Sequence, residues 1–175
     1  GAGPHYRRMF WLILFGLLHA HLLWYGDVLY TYGMCGLVAF LFRKLRPTWL
    51  LAIGLLSLAV CSSLWLLTQW SMQFWDPQQP PAVVRDWKPD AAAVAAEVAV
   101  YRGGWMAQMA ERVPAALEMQ LFVFPFWGTW RAGGLMLIGM ALFKLGLFSA
   151  ARSSRFYAVL LVVGALAGLS LVRFG

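Results

Sequence analysis

The chain has 175 residues, of which 62% are hydrophobic and 12% charged, and a net charge of +7. Soluble domains carry about twice that charged fraction, so a water-soluble globular fold is excluded. Apolar residues run on instead of alternating, which favours membrane helices over a transmembrane barrel. In such a chain the basic excess bears on topology, and no soluble basic face offers itself to nucleic acid. The two cysteines, Cys35 and Cys61, lie in separate apolar runs, so neither a disulfide nor a metal site is expected. The opening residues GAGPHYRR hold no initiator Met and no cleavable signal pattern, and the chain stops just past its last apolar run. It therefore reads as a fragment or a processed product.

Arg7 and Arg8 precede a first helix expected over about 9–24. The apolar run from Met9 to Phe42 would reach about 50 Å as one helix, against a hydrocarbon core of about 30 Å. It must fold back, and Trp24-Tyr25-Gly26-Asp27 holds the only turn chemistry inside it. A second helix is expected over about 27–42, with Asp27 capping its first turn and favouring its positive end. Arg43, Lys44 and Arg46 follow, then the break at Pro47 and a third helix over about 48–70.

The stretch 71–89, rich in Pro and Trp, reads as an irregular loop. Asp90 is a good N-cap for an alanine-rich helix over about 91–102. After Gly103-Gly104 a second piece runs over about 105–113 to Pro114, with Val94, Val98, Tyr101, Trp105 and Met109 on one side and Arg112 elsewhere. That pattern suits a helix on the membrane surface or packed on the bundle. Pro125 and Arg131 interrupt the next apolar run, predicting a short segment over about 115–124 and a crossing helix over about 130–148, with Lys144 snorkelling to the far face. A last crossing is expected over about 156–172, where Gly164 and Gly168 form a G-x-x-x-G pair.

The expected fold is an all-α integral membrane protein of about five transmembrane helices plus an extracytoplasmic amphipathic helix. It divides into 1–70 (a helical hairpin and the third transmembrane helix), 71–114 (an extracytoplasmic loop with the amphipathic helix) and 115–175 (two further membrane segments). One face gathers Arg7, Arg8, Arg43, Lys44, Arg46, Lys144, Arg152 and Arg155 with no acid, and so is expected to be cytoplasmic. The N-terminus then lies inside, and the Trp24–Asp27 turn shares the outer compartment with 71–114.

His19 and Asp27 are the candidates for chemistry. Phe15, His19, Leu22 and Gly26 share one helical face, and Asp27, Tyr30, Thr31 and Met34 share another. If the faces meet, an imidazole, a carboxylate, a phenol and a hydroxyl form a polar pocket near the outer surface. The imidazole can take a proton from an attacking hydroxyl or amine, and the carboxylate can hold its tautomer. Ionisable groups at membrane depth mark functional sites by default. The plainer reading stands beside this: His19 bonding a neighbouring helix, Asp27 serving only as a cap, His21 pointing away and Tyr30 an interfacial aromatic. Arg131 can hold a phosphate or carboxylate, or simply mark a helix start. Trp70, Trp75, Trp87 and Trp105 can stack on a sugar or anchor the chain at the interface. No P-loop, dinucleotide fingerprint, zinc spacing or G-x-S-x-G is present, and the histidines make no convincing pair of haem ligands.

The pattern Arg7-Arg8, then Gly16-Leu17-Leu18-His19, Gly26-Asp27-Val28-Leu29 and Tyr32-Gly33-Met34-Cys35-Gly36-Leu37 resembles the YeiB-like bacterial membrane proteins, a domain-of-unknown-function family. Val28 stands where the family has Ile, and Gly33 where it has Ala. Gly133–Phe148 is similar to the family's later M-L-L-G-M-A-L helix. Family members run longer, with an upstream helix pair opening on Asp-x-x-Arg-Gly and further helices downstream. The family is grouped loosely with membrane acyltransferases, so the resemblance implies a bacterial inner-membrane protein moving an acyl group from cytoplasmic acyl-CoA to an extracytoplasmic acceptor. No bound cofactor is expected beyond that donor. In this reading His19 is the base, Asp27 its electrostatic partner, and Tyr30 and Arg131 bind the acceptor. The rival expectation is a non-enzymatic subunit or scaffold, with the lipid bilayer and other membrane subunits as partners; its motive is the small-residue faces Gly33/Gly36, Gly133/Gly134/Gly139 and Gly164/Gly168. A transporter is third, since neither further intramembrane charge nor an internal repeat is visible.

Overall fold

The computed structural model describes residues 1–75, 89–149 and 152–174. Among these every regular element is helical. α1 spans Ala2–Leu22 and α2 Leu29–Ala39, the latter running into a 3-10 turn over Phe40–Lys44. α3 spans Pro47–Ser71, opening with proline in its first turn, where the missing N–H costs nothing. α4 is Ala91–Tyr101, α5 Trp105–Glu118, α6 Thr129–Lys144 and α7 Ser154–Phe174. Three helical stretches are long and apolar enough to cross a membrane: Pro47–Phe74, Trp105–Lys144 and Ser154–Arg173. α1 and α2 do not meet that measure.

α1 and α2 form the expected hairpin. α1 starts earlier than the sequence suggests and takes Arg7 and Arg8 into its second turn. The two helices run antiparallel: a Cβ on Gly16 would collide with the backbone nitrogen of Tyr30, and one on Gly33 would meet Ile13. At the open end His5 Nε2 lies 3.0 Å from Gly36 O, with its ring stacked on Phe40 at 4.3 Å.

The expected break at Pro125 is absent. Trp105–Lys144 is one continuous helix of 40 residues, about 60 Å long, or twice a hydrocarbon core. It absorbs Pro125 by widening into a π-helical segment over Met119–Gly128. A π turn moves the clashing carbonyl away from the proline ring. The carbonyl of Phe124 is still satisfied, by the backbone N–H of Thr129 and by Thr129 Oγ1 at 3.0 Å. α6 ends before the expected 148, because Gly146 takes the left-handed conformation at φ +73°. Its N–H donates to Phe143 O and that of Leu147 to Leu142 O, a Schellman closure.

The bundle's centre is the crossing of α3 with α6. Ala39, Leu50, Leu137 and Ala141 form its buried cluster, with Phe42, Leu45 and Met140 around it. At the basic end Lys144 Nζ donates to Arg43 O at 2.6 Å and Leu45 O at 2.7 Å, so this lysine docks on a helix terminus. Trp49, Leu55, Leu56, Leu66 and Leu67 of α3 stay exposed. Such a surface suits lipid and would be a liability in water. None of α7's apolar window is buried, and the space beside Gly164 and Gly168 is open.

A side chain has no room where α3 meets α6: a Cβ on Gly54 would lie 2.8 Å from Gly134 O, and one on Gly134 would lie 2.9 Å from Gly54 O. Gly54→Val is expected to cost about 1–3 kcal/mol and lower the thermal midpoint in detergent. Gly139, with nothing within 4 Å of a Cβ, should accept Ala with the midpoint unchanged or raised.

Candidate functional site

The corner between α1 and α2 is built by local backbone needs. α1 stops at Leu22, and both Leu23 N and Trp24 N donate to His19 O at 2.9 Å. Asp27 Oδ1 then accepts the N–H of Tyr30 at 2.9 Å, capping the start of α2 across three residues. The carboxylate also sits at the positive end of that helix. Its other oxygen, Oδ2, lies 2.9 Å from His19 Nδ1. The ring is not aligned for a directed hydrogen bond, and the contact is an ion pair only when the imidazole is protonated. The Asp27 side chain is 3% exposed and that of His19 36%, so the carboxylate is enclosed while the imidazole keeps an open side.

Beside the corner lies a cavity of about 750 Å³, within the range of small-molecule sites. One wall is the corner and the start of α2, with Asp27, Tyr30 and Thr31. The other is the π-helical segment and the first turns of α6, with Gln120, Phe124 and Arg131. Tyr30 packs edge-on against Phe124 at 5.4 Å between centroids, and Thr31 abuts Gly128. Arg131 is exposed, with its guanidinium 4.8 Å over the ring of Trp127. A smaller cavity of about 440 Å³, lined by Cys61, Ser62 and Trp65, shares Trp127 and Arg131.

The structure thus brings Asp27, Tyr30 and Arg131 to one cavity, and seats His19 against Asp27 outside the lining. The four-group pocket expected from the sequence is divided: carboxylate, phenol and hydroxyl face the cavity, and the imidazole stands behind the carboxylate. His21 Nδ1 lies 3.0 Å from Leu17 O of its own helix, away from the corner. Of the tryptophans proposed for sugar stacking, Trp87 lies outside the described residues. Trp105 is engaged, donating from Nε1 to Leu22 O at 2.8 Å.

Arg112 went unremarked as a candidate, because it fell off the apolar side of its helix. It is 3% exposed. It donates to Leu22 O at 2.9 Å and to the side chain of Gln108. Its Nε has no partner, and no carboxylate pairs with it among the described residues. The readable signal was Trp105, Gln108 and Arg112 at i, i+3 and i+7, one stripe of donors on a helix beside a corner. Gln120, buried at its amide nitrogen without a partner, was missed altogether.

The chain is 29% identical over 156 residues to the uncharacterized protein YeiB of Escherichia coli (strain K12), covering 86% of this chain and 37% of that one. It is 51% identical over 45 residues to the uncharacterized protein YxaH of Bacillus subtilis (strain 168), covering 26% of this chain and 11% of that one. The chain therefore spans little more than a third of the length of the longer-matching of these relatives, to which it is related over most of its own length. No protein-family model matches it, and no solved structure does.

Leu22 O has two donors, so removing one leaves the other. Trp105→Phe and Arg112→Leu are each expected to cost under about 1 kcal/mol, and the pair together about 1–3 kcal/mol more than their sum, because only the double variant orphans the carbonyl. Chemical or thermal unfolding in detergent reads the difference.

Proposed function

We propose that this chain is part of a polytopic membrane acyltransferase-like protein, which moves an acyl group from a cytoplasmic donor to an extracytoplasmic acceptor. The observation that carries the reading is the enclosed Asp27 carboxylate held 2.9 Å from the half-open His19 imidazole. Structural capping explains Asp27 Oδ1; it leaves the placement of an imidazole on Oδ2 without a purpose. In the proposed step His19 takes the proton of an acceptor hydroxyl or amine through Nε2, the nitrogen turned from Asp27. The acceptor oxygen or nitrogen forms its bond to the acyl carbon as the donor's thioester C–S bond breaks, and the departing thiolate takes up a proton. Asp27 stabilises the imidazolium that forms, as carboxylates do beside catalytic histidines. Tyr30 and Arg131 hold the far part of the acceptor from the cavity side of Asp27, while its reacting hydroxyl or amine passes around the carboxylate to the open side of the imidazole.

The site suits the outer end of the bundle in a bacterial inner membrane with the N-terminus cytoplasmic. Arg43, Leu45 and Lys144 meet at the opposite end, among the basic residues. In this reading α1 and α2 cross as a pair and bring the crossings to five. The relation to YeiB supports a longer parent protein, whose remaining helices would complete the donor side.

A second reading has its own observation. α7 buries none of its apolar length and leaves Gly164 and Gly168 open, as a helix does when it awaits another chain. A non-enzymatic subunit or scaffold would use it so. The glycine faces of α2 and α6 favour this less, since Gly33 packs on α1 and Gly134 on α3.

The test is acyl transfer by the full-length protein in membranes, with labelled acyl-CoA as the donor. His19→Ala is expected to lower turnover by about 10²–10⁴-fold, the usual worth of a general base, with the protein still folded and its thermal midpoint lowered only by the loss of the contact with Asp27. Unchanged turnover removes His19 from the mechanism. A protein with no transferase activity that co-purifies with other membrane chains through α7 would favour the scaffold.

A further inference from the structure

We infer that the cavity between the corner and the π-helical segment is a binding site for an anionic phospholipid, with its phosphate on Arg131 and an acyl chain along the apolar wall. It deepens the transferase reading, in which this lipid is the acceptor that Tyr30 and Arg131 hold, and the binding itself stands whether or not His19 transfers anything.

Asp27, the cavity's carboxylate, is enclosed, with Oδ1 accepting the N–H of Tyr30 and Oδ2 held against the His19 ring without a hydrogen bond. The donors stand otherwise. Arg131 makes no hydrogen bond among the described residues and rests only over Trp127. Gln120, on the same lining, has an amide nitrogen with no acceptor among the described residues. A cavity with its acceptor enclosed and its donors unmet calls for an occupant rich in acceptors. Phosphate and ester oxygens meet that need, and arginine binds phosphate through two parallel hydrogen bonds.

Depth points the same way. Arg131 lies 13 residues before Lys144 on one helix, about 20 Å along its axis. Lys144 is fixed at the basic end of the bundle. With that end at one interface, Arg131 sits inside a hydrocarbon layer of about 30 Å, where an unpaired charge is costly. The outer interface is then about 10 Å away, and a guanidinium reaching toward it on its long stem meets the phosphates of that leaflet. The wall is apolar on both sides of Arg131, with Leu135 and Met136 toward Lys144 and Val123 and Phe124 toward the corner. A free phosphate would leave that wall empty, and a zwitterionic lipid would bring its own ammonium beside the guanidinium.

The experiment uses the full-length protein in nanodiscs of phosphatidylcholine doped with phosphatidylglycerol carrying a photoreactive group in its acyl chain. Adducts are mapped by mass spectrometry, with labelling of α7, whose apolar surface is unburied, as the internal reference. Residues 119–136 are expected to label in excess of α7. Arg131→Gln should cut that excess about tenfold, the worth of one charge-assisted interaction. Leu135→Trp, which fills the cavity from an exposed position, should cut it while leaving the thermal midpoint alone. Equal labelling by photoreactive phosphatidylcholine, insensitivity to Arg131→Gln, or equal protection by inorganic phosphate alone would each overturn the assignment.

Discussion

A helix that turns back inside or beside a bilayer releases backbone groups that lipid cannot satisfy, and the corner between α1 and α2 shows how this chain meets that demand. The last carbonyls of α1 are taken by Leu23, Trp24, Trp105 and Arg112. The first amides of α2 are met in part by Asp27. Two of those partners come from α5, more than 80 residues along the chain. The corner is therefore a local turn held by a distant helix. Its geometry fixes where the Asp27 carboxylate stands and hence which side chain can approach it.

The same constraint places the cavity. α5 is pinned at its start by Trp105 and Arg112 and continues without a break into α6, whose far end is pinned by Lys144. Between the two anchors the helix must pass Pro114 and Pro125. It carries Pro114 within the α-helix and Pro125 by widening, and the widened stretch meets α2 through Phe124 on Tyr30 and Gly128 on Thr31. The gap left beside Tyr30 and Thr31 is the cavity. A proline that would ordinarily break a helix here gives the bundle an opening next to its buried carboxylate.

Much of this was legible in the sequence. The apolar run up to Phe42 was too long for one crossing, and Gly26-Asp27 marked where it turns. The Asp90 cap is present, with its carboxylate accepting the N–H of Ala93 at 2.7 Å. The pairing of His19 with Asp27 followed from helical spacing on either side of the turn. The failures have physical causes. Pro125 was read as a stop, because a single chain gives no sign that a π turn will absorb it. Gly146 was passed over as one more glycine in an apolar run, although its left-handed turn ends α6. Arg112 looked like a solvated charge, because the carbonyl that makes its burial tolerable belongs to a helix remote in sequence. His19 was placed inside the pocket, whereas the enclosed carboxylate stands between it and the cavity. The five crossings rested on counting apolar runs, and α2 with 11 residues is too short to settle the count by length.

The account turns on the contact between an imidazole and an enclosed carboxylate. A double-mutant cycle measures it directly, using unfolding of the full-length protein in detergent with His19→Ala, Asp27→Asn and the pair. Asparagine keeps the cap on α2 and removes only the charge, so the cycle isolates the contact with the ring. The account predicts a coupling of about 0.5–3 kcal/mol between the two positions. Effects that add to within about 0.3 kcal/mol would mean that His19 and Asp27 are neighbours without an interaction, and would contradict it.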